Sequence, residues 1–346
     1  MKFSIDTYES SQRSVWNEAL KQMRQQSFLL DRGFMDYHSD RFEDVSLMVY
    51  DEKGHVVALL PANKDPQGKA QVQSHGGLTY GGLLTLPNQG TKDVGEILAS
   101  CVNHCANAGF DELLYKPMPH IYHTQPAEED LYWMHRMGAQ LVHRSVSSAV
   151  LLPEALPFSK LRKRKVKKAQ SVQHLTHSTS PRWLPQFWQT LDEVLSSRHH
   201  THPVHTLAEL ELLMSRFPER IVLHTLVNSA PYEANCSRLL AGCLLFIMPS
   251  VVHVQYIAAS DEGRDKGALD LLFHDIIAQM QCSMPHVRYL DFGISTESHG
   301  QWLNEGLIFQ KEGFGARAVC YDEYLLSLHD ATVLTNPIIQ HSEPSA

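Results

Sequence analysis

The stretch VVHVQYIAASDEGRDKGA, Val251–Ala268, sets the fold. Its first nine residues, Val251 to Ala259, form a short apolar run rich in β-branched side chains, the signature of a buried strand. Ser260 to Gly267 then turns polar and carries two glycines, which ends the strand. From Lys266 to Gln281 apolar residues return at helical spacing. Working outward, Ile221 to Val227 and Leu239 to Met248 are further strand-like runs flanking the polar segment Asn228 to Arg238, a hairpin. Downstream come strand Val287 to Asp291, helix Gly300 to Glu312 and strand Arg317 to Leu326.

The same order of elements occurs earlier. Val45 to Tyr50 and His55 to Leu60 form a hairpin around Asp51-Glu52-Lys53-Gly54. Helix Lys92 to Ala108, strand Glu112 to Lys116, a helix through Glu128 to Met137 and strand Gln140 to Leu152 follow. Leu113 and Tyr289 lie 176 residues apart, and Gly138-Ala139 and Gly315-Ala316 lie 177 apart. A constant offset across several elements marks a duplicated mixed α/β unit. Leu-Pro-Glu-Ala-Leu-Pro ends at Pro157 and reads as a linker. The expected organisation is one domain over 1–155, a second over 156–330, and a polar tail over 331–346.

With 346 residues, 43% hydrophobic and 20% charged, the chain has the composition of a folded protein and excludes wholesale disorder, collagen and coiled coil. The net charge of -8 argues against a surface built throughout to hold duplex nucleic acid. Six cysteines without a C-x-x-C pair suggest reduced thiols in a cytoplasmic protein. The start lacks a signal pattern, and the longest apolar run is half of the ~20 residues that a membrane span requires.

Several segments could carry chemistry. Glycines before a helix, in Ser260-Asp261-Glu262-Gly263-Arg264-Asp265-Lys266-Gly267-Ala268, expose backbone N–H groups that suit an anion, with Arg264 and Lys266 adding charge. A well-made strand-to-helix connection gives the same pattern. Lys160, Arg162, Lys163, Arg164, Lys165, Lys167 and Lys168 put seven positive charges in nine residues. On a helix they would surround the axis as an anion patch. Four glycines between Gly76 and Gly82, together with His75, Tyr80, Lys116, Tyr122 and His123, suggest an acceptor-pocket wall at a strand end. The histidines from His199 to His205 are read as a polar loop, and no metal site is expected, because Pro203 interrupts any helix that would align them. Cys101 and Cys105, four apart on a helix, are read as core. Asp291-Phe292-Gly293 lacks the other kinase motifs, and Gly293-Ile294-Ser295-Thr296 lacks the second glycine of a nucleophile elbow. Asp291, Glu297 and Glu305 remain as carboxylates near a strand end.

Taken together, Leu161–Ala169, Tyr256–Ser260, Gly267-Ala268, Asp291-Phe292-Gly293 and Asn304–Gly315 resemble the FemAB-like branch of the GNAT N-acyltransferase superfamily. The first half is similar through its repeat order and through Gly77–Gly82 and Tyr122-His123. The resemblance implies a tandem pair of GNAT-like domains and transfer of an acyl or aminoacyl group to an amine, such as that of a cell-wall peptide or amino-sugar precursor. Acyl-CoA or charged tRNA would be the co-substrate, with no tightly bound cofactor. It places the donor in the second domain, at Ser260, Gly263, Arg264, Lys266, Gly267 and Ala268, and the acceptor between the domains. The chemistry needs a deprotonated amine, aligned substrates and N–H donors for the oxyanion. Alignment falls to the strand around Tyr256, which splays from its neighbour in GNAT-like folds. Proton removal falls to Glu297 or Glu305, with Asp291 as the weaker candidate, although a carboxylate after a strand equally caps the next helix. A second reading is a non-catalytic GNAT-fold protein that recognises an anionic partner such as RNA.

Overall fold

Hydrophobic period and turn residues place most of the elements expected from the sequence to within a residue or two, while strands Phe3–Thr7, Asn63–Lys64, Gln71–Ser74 and Leu84–Thr85 and helices Arg13–Leu20 and Arg32–Met35 have no counterpart in that reading. The computed structural model describes residues 2–199, 201–229 and 238–331. In chain order it contains β1 (Phe3–Thr7), α1 (Arg13–Leu20), α2 (Arg32–Met35), β2 (Leu47–Asp51), β3 (Val56–Leu60), β4 (Asn63–Lys64), β5 (Gln71–Ser74) and β6 (Leu84–Thr85). Then follow α3 (Thr91–Asn107), β7 (Glu112–Tyr115), α4 (Glu129–Arg136), β8 (Gln140–Leu151), α5 (Lys160–Gln170), β9 (Leu175–Ser178), α6 (Leu184–His199) and α7 (Leu207–Arg216). The remainder is β10 (Ile221–Asn228), β11 (Arg238–Ile247), β12 (Val251–Ala259), α8 (Asp261–Lys266), α9 (Ala268–Ser283), β13 (Tyr289–Ile294), β14 (Thr296–Glu297), β15 (Trp302–Leu303), α10 (Glu305–Glu312) and β16 (Arg317–Ser327).

Two compact units emerge, Met1–Ser145 with Cys320–Ala346, and Val146–Val319. The first holds sheet β1-β2-β3-β6 and the strand order β4-β5-β7-β16. Val94, Ile97, Leu98, Cys101, Val102 and Cys105 of α3 bury one helical stripe against Val72, Leu113 and Tyr115, with Met134 of α4 and Met137 just after it. Both cysteines are core residues, as expected.

In the second unit the order is β8-β13-β12-β11-β10-β9. The β10-β11-β12 meander is antiparallel, and β12 meets β13 in parallel after the α9 crossover. Val150, Val252, Val254, Leu290 and Phe292 fill one face, under Val166 and Ala169 of α5 and Leu272, Phe273 and Ile276 of α9.

Three expectations shift. The linker reading puts the boundary at 153–157, whereas the units divide at 145/146 and 319/320. Val150 and Leu152 are buried in the core of the second unit, and Pro153 lies in the short 3-10 turn Leu152–Glu154. The helix expected from Lys266 is two helices, because Gly267 adopts φ +75 between α8 and α9. The helix expected from Gly300 begins at Glu305, where Asn304 caps it by accepting from the Leu307 amide at 3.0 Å. Of the polar tail, residues 332–346 lie outside the described residues.

Candidate active site

At the parallel junction of β12 and β13 the register runs Val251↔Tyr289, Val252↔Leu290, His253↔Asp291, and ends there. Beyond it β13 carries a bulge between Asp291 and Ile294 and continues against Ser147 of β8. Gly293, at φ +74, lets the strand make that bend. The two strands therefore part directly after His253 and Asp291, leaving the β12 edge from Val254 to Ala259 without a ladder partner on that side.

A polar cluster sits in the fork. Alternation puts His253 and Asp291 on the face opposite the α5 and α9 core. The His253 ring donates from Nδ1 to Asp291 Oδ2 at 2.9 Å. Asp291 Oδ1 accepts from Ser147 Oγ at 2.5 Å and from the Gly293 amide at 3.1 Å. Asp291 is fully buried and His253 is buried. A carboxylate with three donors holds the imidazole ring in place and makes Nε2 its basic nitrogen. Ser147 gives its proton to the carboxylate and makes no hydrogen bond with the ring, so this is not the nucleophile-base-acid order of a serine hydrolase. On the β13 bulge, Lys311 of α10 donates to the Gly293 and Ile294 carbonyls at 2.8 and 2.7 Å. Burial pushes its ammonium down to about 8, against the pull of Asp291.

The other expected catalytic side chains lie apart from this cluster. Glu297 is exposed on β14 and accepts from Asn304 Nδ2 at 2.8 Å. Glu305 is exposed in the first turn of α10. Tyr256 hydrogen-bonds His205 Nδ1 at 2.7 Å and meets Trp188 edge-on, and burial raises its hydroxyl. Of the catalytic residues expected from sequence, only Asp291 belongs to the fork. His253, Ser147 and Lys311 were missed. The available signal was a lone histidine in the apolar run Val251–Ala259, which reads by itself as a core histidine.

The Ser260–Ala268 segment is a helix and not an open loop. Ser260 caps α8 by accepting from the Gly263 amide at 3.1 Å. A side chain at Gly263 would meet the Leu240 carbonyl oxygen at 1.8 Å, and one at Gly267 the Lys165 carbonyl at 2.6 Å. Close packing explains both glycines. Arg264 donates to the Ala259 carbonyl at 2.6 Å and pairs with Asp261, and Lys266 pairs with Glu262 at 2.5 Å. Ala268 opens α9 and is buried.

In the first unit, Tyr80 and Tyr122 are buried with ring centroids 4.8 Å apart, and their hydroxyls bond Ser27 and Tyr321. His75 is buried, stacked on His38, and burial lowers it to about 3. Lys116 donates to the Leu78 carbonyl at 2.6 Å, and His123 to the Met118 carbonyl at 3.0 Å. The five are packed and hydrogen-bonded within this unit. Among the described residues no group of three or more His, Cys, Asp or Glu could hold a metal; His202 pairs with Asp192, and His200 lies outside the described residues.

The expectation that basic residues surround α5 is corrected. Arg162 is buried, pairs with Asp270 at 2.9 Å and lies over the Phe314 ring. Lys165 is half-buried. Lys160, Lys163, Arg164, Lys167 and Lys168 are exposed, at i, i+3, i+4, i+7 and i+8, and form one stripe, because α9 takes the opposite face.

Solved structures share this architecture. FemX superposes with a TM-score of 0.65 at 11% identity, covering 99% of this chain and 100% of that one. The C-terminal domain of a lysylphosphatidylglycerol synthetase from Agrobacterium fabrum gives 0.56 at 12%, covering 94% of both chains. A tandem GNAT protein from the clavulanic acid biosynthesis pathway gives 0.51 at 12%, over 94% of this chain and 98% of that one. The chain has the tandem GNAT fold of FemAB type. No protein-family profile and no curated protein matches the sequence. Among the described residues no helix is long and apolar enough to cross a membrane.

The tandem fold allows its two copies to be compared. In the first unit β5 and β7 also pair in parallel, and that register ends at Ser74↔Tyr115. Tyr115 precedes Asp291 by the repeat offset of 176, so Ser74 and Tyr115 stand where the second unit has His253 and Asp291. Met134, 177 before Lys311, is a fully buried core residue. The first fork holds a different set, with Tyr115 donating to the buried Asp130 and Lys116 to the Leu78 carbonyl, whereas the second sets a histidine directly against a carboxylate.

Proposed function

We propose that the chain transfers an acyl or aminoacyl group to an amine, with the second unit as the catalytic copy and His253 as the general base. The observation that carries this reading is the buried His253–Asp291 pair at the point where β12 and β13 part. The donor carbonyl enters the fork and is held along the free edge of β12, whose outward N–H groups meet the developing oxyanion. The amine nitrogen attacks the carbonyl carbon and forms the C–N bond, while His253 Nε2 takes the proton that nitrogen loses. The tetrahedral intermediate collapses with cleavage of the bond to the thiol sulfur or ribose oxygen, and the imidazolium returns the proton to that leaving atom. Asp291 steadies the transient imidazolium. Ser147 and the Gly293 amide keep Asp291 in place, and Lys311 holds the shape of the β13 bulge.

The likeness to FemX and to tandem GNAT proteins supports the reaction class at the level of fold. Both donor classes, an acyl-CoA thioester and charged tRNA, suit this chemistry, and the acceptor is an amino sugar or a peptide amine of the cell-wall type. The test incubates the purified chain with acetyl-CoA or with aminoacyl-tRNA and such amines, and follows the amide product by mass spectrometry. Product from either donor, falling by roughly 10²- to 10⁴-fold in His253→Ala and unchanged in Glu297→Gln and Glu305→Gln, is expected. Absence of product with both donors, or full turnover by His253→Ala, refutes the assignment.

A further inference from the structure

The stripe on α5 has no part in the proposed chemistry, yet it is the most concentrated charge on the molecule. Five cations, Lys160, Lys163, Arg164, Lys167 and Lys168, line about 12 Å of one helix face. None of their side chains has an ion-pair or hydrogen-bond partner among the described residues. The chain as a whole carries -8. A second unusual surface adjoins the start of α5. Ile294 is 46% exposed, Trp302 70%, Leu303 49% and Phe309 63%, all near the β14-β15 hairpin and α10. The C-terminal end of α10 meets the start of α5 on the buried side of that helix, where the Ser159 amide donates to the Gly313 carbonyl at 2.9 Å and Arg162 lies over Phe314.

We propose that α5 and the hairpin form a docking surface for an anionic lipid bilayer. Stable attachment to a bilayer needs two signals, a basic cluster and an apolar group that enters the headgroup region. The second unit supplies both. Four of the five cations are lysines, point charges that suit a diffuse anionic surface better than a specific phosphate, which favours the planar fork of arginine. The apolar group mixes Trp302 and Phe309 with the aliphatic Ile294 and Leu303. Nucleic-acid bases stack on aromatic rings, whereas aliphatic side chains beside a tryptophan suit the interface of a membrane. The apolar side of α5 faces α9, so the helix lies on the bilayer by charge and the hairpin makes the insertion.

The test is co-sedimentation of the full chain with vesicles of phosphatidylcholine alone, and of phosphatidylcholine with phosphatidylglycerol. Binding is expected only to the anionic vesicles, and it weakens as salt is raised toward about 1 M, where screening is nearly complete. Lys163→Gln with Lys167→Gln should weaken it about 30-fold, roughly fivefold per lysine at the surface. Trp302→Ser with Phe309→Ser should weaken it independently, and vesicles should blue-shift the emission of the parent more than that of Trp302→Phe. These side chains are exposed, and unchanged thermal midpoints confirm that the variants fold. Equal binding to both vesicle types, or no binding at low salt, overturns the proposal. So does retention of a duplex RNA through the stripe while vesicles are ignored, which assigns the surface to nucleic acid. Vesicle binding is read without turnover, so the proposal stands or falls apart from the acyl-transfer reading.

Discussion

His253 illustrates how a single residue changes meaning with its neighbour. In an apolar strand a histidine is an ordinary core side chain, but in register with a buried carboxylate at a fork it becomes a held base. Asp291→Asn keeps the volume and loses the charge, so His253 should stay folded in place while transfer falls by roughly 10²-fold or more. A variant that turns over like the parent would remove the pair from the mechanism. Lys311 makes a separate prediction for stability. Its folded value of about 8 lies below the usual 10.5 of a lysine, because burial disfavours the ammonium. Between those values the unfolded chain binds more protons, so stability rises with pH across the window, and below about pH 8 the penalty is fully present. Denaturant titrations from pH 7 to 10 should show this rise in the parent, by up to about 3 kcal/mol. They should show less of it in Lys311→Met. Parallel curves for the two proteins would mean that Lys311 is not the group responsible.

At the scale of elements, glycines carry two readings at once. Gly263 and Gly267 read as an anion loop in sequence, and the backbone approaches of β11 and α5 give both a packing role as well. Gly263→Ala should therefore cost about 1 to 3 kcal/mol from overpacking against the Leu240 carbonyl. Urea denaturation measures it directly, and a variant as stable as the parent would return the glycine to a ligand-facing role. The α5 helix shows the complementary case. Its charges were plain in the sequence, but their arrangement as a stripe depended on α9 covering the opposite side and on Asp270 drawing Arg162 inward.

Across the whole molecule the repeat is legible because both copies keep the same period and turn order. The true division of the chain is not. The C-terminal half of β8 belongs to the second unit, where Ser147, Ala149, Val150 and Leu151 pair with β13. A fragment of residues 146–319 should melt cooperatively as a folded unit. One of residues 156–319 loses that strand and Ser147, leaves β13 as a bare edge, and should be largely unfolded by circular dichroism. Equal stability of the two fragments would show that β8 is dispensable to this unit.

The sequence alone determined the class of the fold, the order of elements and their near-tandem repetition, because hydrophobic period, glycine and proline act locally and need no partner. It also placed seven of the 30 lysines and arginines in one short run and named Asp291, as the weaker of three carboxylate candidates. The tertiary structure alone decided which side chains meet. Ser147, His253, Asp291 and Lys311 stand on four elements up to 164 residues apart in sequence, and only the register of β8, β12 and β13, with the bulge at Gly293, brings them together. Chemistry between strands depends on register, and register is settled by packing across the whole sheet.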